Sequence, residues 1–169
     1  MQNNVLEVSI KAVVPAANAN GCAIFLGAKN KTFHIHVEGH IGKAISMAIN
    51  KEKKARPLTH DLIGNIFQGF GIELDRVIIN DFNKEFYFAR IILKMKNELG
   101  AKIVEIDSRP RDSMVLAVQC KKPIMVAEKV LNEVNNKLGG KVVTKISKIK
   151  NYVVAESYHQ DYFKKRSSI

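Results

Sequence analysis

Two short segments of this 169-residue chain gather side chains that can move protons and hold phosphate. The first is Arg56-Pro57-Leu58-Thr59-His60-Asp61, which sets a cation, an imidazole and a carboxylate where a helix is expected to begin. His60 can act as acid or base there, and Asp61 can orient it or join a metal shell. The plain alternative is that Asp61 stands in a first helical turn because the helix dipole favours negative charge. The second segment is Asp107-Ser108-Arg109-Pro110-Arg111-Asp112. Strand alternation puts Glu105 and Asp107 on one face, and Asp112 returns at the start of the next helix. Carboxylates converging at such a turn can bind a divalent cation, magnesium or manganese, with Asp107 and Asp112 as its candidate ligands. Arg109 and Arg111 can grip phosphate oxygens with their planar forks. Metal-assisted phosphodiester cleavage needs that combination of anionic ligands for the ion and cations for the substrate. The alternative is an internal ion-pair network in which Arg109 neutralises Asp61 or Asp107.

The charge of the whole chain bears on the same question. Twenty-seven Lys and Arg against 16 Asp and Glu leave +11, which favours a polyanionic partner. Lys51, Lys53, Lys54 and Arg56 form the tightest basic cluster of the body, and with Arg111 they are the candidate phosphate contacts. A solvated surface is the competing account of those lysines. His34, His36 and His40 tempt a zinc reading, but they occupy the polar alternation of an ordinary strand. Cys22 and Cys120 are too few for a disulfide scaffold and lack the flanking pattern that activates a thiolate. They read as small hydrophobes, and a reduced cytoplasmic protein is expected. No apolar run reaches membrane length, and the first residues lack the form of a signal peptide. Membrane partners are therefore not expected, and a homo-oligomer is left open.

These candidate groups need elements to position them. Residues 5–13 alternate apolar and polar, as in a half-buried strand, and Cys22–Leu26 and Thr32–Val37 read as two more. Ile41, Ala44, Ile45, Ala48 and Ile49 recur at helical spacing. Thr59 is expected to cap a second helix, with Leu62, Ile63, Ile66, Phe67 and Phe70 on one face. Leu58 and Ile63 would form its staple, with Gly71 at C′. Leu74–Asn80, Phe86–Lys94 and Lys102–Ile106 are rich in Ile, Val and Phe, as strands are. A short buried helix over Met114–Val118 follows Pro110, then a helical stripe from Ala127 to Leu138. The two halves repeat an order at offsets between about 66 and 71 residues. The expectation is one α+β domain built by duplication of a βββαα unit, with a mixed or barrel-like sheet and packed helices.

With those segments assembled, residues 5 to about 134 resemble the bifunctional nuclease family. The resemblance is carried by Gly21-Cys22-Ala23-Ile24-Phe25-Leu26-Gly27, by Arg56-Pro57-Leu58-Thr59-His60-Asp61-Leu62 and by Arg76-Val77-Ile78-Ile79-Asn80-Asp81. It continues through Phe86-Tyr87-Phe88-Ala89-Arg90, Ile106-Asp107-Ser108-Arg109-Pro110-Arg111-Asp112 and Pro123-Ile124-Met125-Val126-Ala127. It implies a duplicated α+β fold and nuclease activity on DNA, RNA or both. The chain departs from the family's usual Ser-Arg-Pro-Ser-Asp-Ala form at Arg111 and Ser113. Family resemblance does not define the catalytic set, so roles for His60, Asp61, Asp107, Arg109 and Asp112 rest on residue chemistry.

The tail, residues 135–169, is similar to something else. Val143-Thr144-Lys145-Ile146 and Ala155-Glu156-Ser157-Tyr158-His159-Gln160-Asp161-Tyr162 resemble the C-terminal end of peptide methionine sulfoxide reductase A. That similarity can be traced back as far as Ala127. The reductase nucleophile lies in a Gly-Cys-Phe-Trp motif, whereas Gly21-Cys22 is followed here by Ala23-Ile24 and the chain has no Trp. Residues 1–134 are thus expected to form a bifunctional-nuclease-like domain, followed by a basic tail that docks loosely. Three functions remain in play: a nuclease, a non-catalytic nucleic-acid-binding or regulatory domain, and remotely a reductase fragment or fusion.

Overall fold

The computed structural model describes residues 4–16, 21–28, 31–84, 86–98 and 100–137. The tail beyond Lys137, with its expected loose docking, lies outside the described residues. Apolar alternation produces three antiparallel strands, β1 (Val5–Pro15), β2 (Gly21–Ala28) and β3 (Lys31–Glu38), and then two helices, α1 (Gly39–Ile49) and α2 (Thr59–Gly69). A second meander follows, β4 (Ile72–Asn83), β5 (Phe86–Asn97) and β6 (Gly100–Ser108). Helix α3 (Pro110–Cys120), strand β7 (Ile124–Ala127) and helix α4 (Glu128–Lys137) complete the described chain.

All seven strands join one mixed, open sheet in the order β3-β2-β1-β7-β4-β5-β6. The fold is a single α+β domain, and of the two expected sheet forms it takes the mixed one. Every pairing is antiparallel except β4 with β7. The order of the second half departs from that of the first by β7, which stands between α3 and α4 and joins the two meanders. The reading from sequence missed this strand. Its four residues, Ile-Met-Val-Ala, are apolar throughout and too short to show a period, and they run straight into the stripe of α4.

Ile24, Leu26, Ile45, Val77, Ile79, Met114, Val115, Val126 and Val130 are fully buried in one core. Helix α3 packs on α1, α2, β4 and β5, so it is the strut of the helical layer. It is longer than the short helix expected, because Pro110 at its first position is preorganised for helical φ. Gly42 lets α1 lie against β2, since a Cβ there would stand 2.5 Å from Cys22 Sγ. Helix α2 departs from expectation. Only Ile63 and Phe67 pack against the core; Leu62, Ile66 and Phe70 face solvent. Leu62, Ile66 and Phe70 form one side of the apolar stripe and Ile63 and Phe67 the other, and only the latter side is covered by the core. Its cap also shifts: Leu58 is the N-cap and Thr59 the first helical residue, which removes Leu58 from the staple position. Gly71, with φ +64°, closes the helix as its left-handed C′ residue.

Candidate functional site

The site grows from the turn between β6 and α3. The backbone N–H groups of Asp112 and Ser113 both reach the Arg109 carbonyl at 3.1 Å, starting the helix. Ser113 is the buried polar side chain of this turn; its hydroxyl donates to the Arg109 carbonyl at 2.9 Å and also meets the Ser108 hydroxyl. Ser108 in turn donates weakly to the Ala89 carbonyl of β5, at 3.4 Å. Where the family's usual form has Ala, Ser113 thus ties the turn to its own strand. Sequence reading noted this departure without a role for it.

That turn holds Arg109 and Asp112 together. Arg109 Nε donates to Asp112 Oδ2 at 2.6 Å, while the guanidinium stays 67% exposed. The other oxygen, Asp112 Oδ1, stands 3.4 Å from His60 Nε2 on the first turn of α2. His60 and Asp112 are 52 residues apart in the chain, and packing of α2 on α3 brings them into one constellation. The partner of Arg109 is therefore neither Asp61 nor Asp107, as the ion-pair alternative expected, but Asp112. The reason is local: residues three apart at a helix start share one face.

Beside this pair lies a cleft of about 520 Å³, lined by Phe86, Tyr87 and Phe88 of β5 and by Asp107, Ser108, Arg109 and Asp112. Asp107 and Asp112 both line it. Glu105 does not: it accepts from Arg90 at 2.9 Å on the neighbouring strand. His60 stands behind Asp112, with its side chain only 12% exposed. The imidazole hence meets the cleft through the carboxylate. The aromatic wall was missed in sequence because Phe86, Tyr87 and Phe88 read simply as strand residues.

Asp61 is placed differently. Lys54 Nζ donates to both its oxygens at 2.7 Å, Gln119 Nε2 of α3 to one at 2.9 Å, and Leu58 N–H to the other at 2.7 Å. Burial works to raise its pKa, but the Lys54 and Leu58 hydrogen bonds outweigh it and hold the carboxyl below its ordinary value. Lys54 is engaged in this strut and Arg111 pairs with Glu38 across to the end of β3. Lys51, Lys53 and Arg56 remain exposed around the loop between α1 and α2.

Among the described residues, no group of three or more His, Cys, Asp or Glu stands close enough to cage a metal ion. His34 and His36 are in edge-to-face contact, their ring centres 4.9 Å apart, on the polar side of β3. Cys22 is buried and Cys120 partly so; burial pushes both thiols up, away from the thiolate a nucleophile requires. No helix among the described residues is long and apolar enough to cross a membrane.

Comparison with known proteins gives two matches along the chain. The bifunctional nuclease domain family matches residues 24–138, which include His60, Asp61, Asp107, Arg109 and Asp112. The peptide methionine sulfoxide reductase family matches residues 111–168, overlapping the first over α3, β7 and α4. Peptide methionine sulfoxide reductase MsrA of Pelagibacter ubique (strain HTCC1062) is 58% identical over 41 residues, 24% of this chain and 28% of that protein. Two uncharacterized proteins of Mycobacterium tuberculosis, MT1877 of strain CDC 1551 / Oshkosh and Rv1829 of strain H37Rv, are 33% identical over 95 residues. The chain spans 54% of the length of each mycobacterial protein and under a third of the reductase.

Proposed function

The chain belongs to the bifunctional nuclease domain family, and from that premise we propose that the cleft beside α3 hydrolyses phosphodiester bonds in nucleic acid. Family membership points to nuclease-like function and to nucleic acid as partner. The observation that carries the finer reading is the convergence of His60, Asp112 and Arg109 at one cleft across 52 residues of chain. Arg109 presents an exposed guanidinium to a phosphate and spreads the charge that builds on its non-bridging oxygens. Asp112 faces the substrate and takes a proton from the attacking water, whose oxygen forms the new bond to phosphorus as the ester oxygen leaves. His60, behind it, is a positioning residue: its hydrogen bond holds the carboxylate in its orientation. The acid–base role first considered for His60 thus passes to the group that reaches the cleft. Asp61 holds the entry of α2 in place so that His60 can reach across.

A divalent cation fits this donor set in one specific way. Magnesium and manganese are commonly held by one or two carboxylates completed by substrate phosphate oxygens and water. Asp107 would supply the protein's share, completed by substrate and water oxygens, and the bound ion would neutralise charge on the phosphate; Asp112, paired with Arg109 and His60, keeps the role of base. The chain carries +11, with Lys51, Lys53 and Arg56 exposed, so phosphate contacts should dominate affinity.

The test is cleavage of DNA and RNA strands by purified protein, with and without a chelator, across a salt series. Cleavage lost on chelation, and binding that weakens steeply with salt, are expected. Asp107→Asn, which keeps shape and removes charge, should cut cleavage by two or more orders of magnitude, about 3 kcal/mol of barrier. Tight, salt-sensitive binding without any cleavage would instead make the domain a non-catalytic nucleic-acid binder.

A further inference from the structure

Strand β5 carries three consecutive aromatic residues into the cleft wall, and they do different work. Tyr87 points into the protein, where its ring lies 4.5 Å from Phe82 and 6.3 Å from Phe33, centre to centre. Burial pushes its hydroxyl pKa up to about 12. Phe86 and Phe88, two residues apart, share the opposite face of the strand. They are 71% and 43% exposed. Neither ring contributes to the core, and both border the cleft that holds Arg109 and Asp112. Strand geometry spaces them about 6.6 Å apart along β5. Exposed rings beside a phosphate-gripping cation are the two parts of a surface that binds unpaired bases.

We propose that this cleft takes single-stranded nucleic acid, with successive bases stacked on Phe86 and Phe88 while Arg109 holds the intervening phosphate. The inference rests on the nuclease reading and narrows it to a substrate class. A duplex hides the faces of its bases in its own stack, so it can offer the rings nothing but an end. A single strand offers a face at every base, and stacking tolerates any base identity. The charge balance favours the same occupant. The rings sit at the rim of a chain of +11 charge, and the backbone of a bound strand supplies the complementary negative charge.

The experiment compares three probes of equal length on the full chain: a single strand, its duplex, and an abasic strand with the same number of phosphates. Wild-type protein should bind the single strand about tenfold or more tighter than the abasic strand, with the duplex near the abasic value. Phe86→Ala and Phe88→Ala should each weaken single-strand binding about fivefold to tenfold and leave the abasic strand unchanged, and Phe88→Trp should restore it. Equal affinity for intact and abasic strands overturns the stacking proposal while leaving phosphate binding, and the nuclease reading, in place. Failure to bind any of the three at low salt overturns both. A dimer in sedimentation that Phe86→Ala and Phe88→Ala together convert to monomer would assign the rings to self-association and overturn the proposal as well. The abasic comparison uses the wild-type chain, so it stands even where a substitution disturbs folding.

Discussion

Asp61 and Asp112 occupy the same place in two similar settings, and the structure treats them in opposite ways. Each is the third residue of its helix, and an Arg-Pro pair, Arg56-Pro57 or Arg109-Pro110, stands at or just before the helix start. Each gains from the positive end of its helix. Asp61 is saturated: Lys54, Gln119 and its own N-cap backbone occupy both oxygens at 2.7–2.9 Å. Asp112 has one short bond from exposed Arg109, one long contact to His60, and an open cleft beside it. The difference teaches that position in a motif does not assign a role. The first turn of α2 is built to hold the fold, and that of α3 is left with unspent hydrogen-bonding capacity.

The contrast is breakable, and the largest effect should come from Asp112. Asp112→Asn is expected to lower cleavage a hundredfold or more, about 3 kcal/mol in barrier, with the thermal midpoint little moved; initial rates and a melting curve read both. A large loss of stability with unchanged rate per folded molecule would reverse the assignment of the two carboxylates. Asp61→Ala should do the converse. It removes a helix cap and strands Lys54, whose side chain is 15% exposed, for an expected loss of about 2 kcal/mol in a urea titration. The folded fraction should keep its rate.

His60 sharpens the comparison because it belongs to one turn and serves the other. His60→Ala should lower kcat about tenfold, near 1.4 kcal/mol, without a matching rise in KM. His60→Gln, whose amide can still donate to Asp112, should recover most of it. A change confined to KM would place the imidazole in substrate binding instead. The smallest effect concerns acid. Because the folded pKa of Asp61 is depressed, its contribution to stability is complete above the ordinary carboxylate value near 3.8 and is lost as pH falls through the lower folded value. In acid unfolding, the gap between wild type and Asp61→Asn should therefore close in that window; a gap that stays constant to the lowest pH would show that the charge on Asp61 contributes nothing.

Most of the sheet was legible from the chain. Glu7, Ser9 and Lys11 alternate with Leu6, Val8 and Ile10 along β1, and Phe33, Ile35 and Val37 are the buried half of β3. The stripes of α1 and α4 were visible for the same reason. Gly71 marked the end of α2 because a left-handed C′ residue favours glycine. β7 was invisible, since four apolar residues carry no period, and the apolar face of α2 could not be divided into covered and exposed parts because sequence shows which residues are apolar but not which arc a neighbour covers.

The chemistry divides along the same line. The chain alone placed His60, Asp61, Arg109 and Asp112 at two helix starts, set the basic balance, and marked the tail as different, because such features depend only on residue type and spacing. Only the tertiary structure paired His60 with Asp112, gave Lys54 to Asp61, sent Glu105 to Arg90 and left Phe86 and Phe88 in solvent. Periodicity and helix starts are local properties of a chain with fixed dihedral preferences, and a reader can recover them residue by residue. A side chain's partner depends on how α2 crosses α3 and on where β7 inserts in the sheet, and these follow from packing the whole core at once.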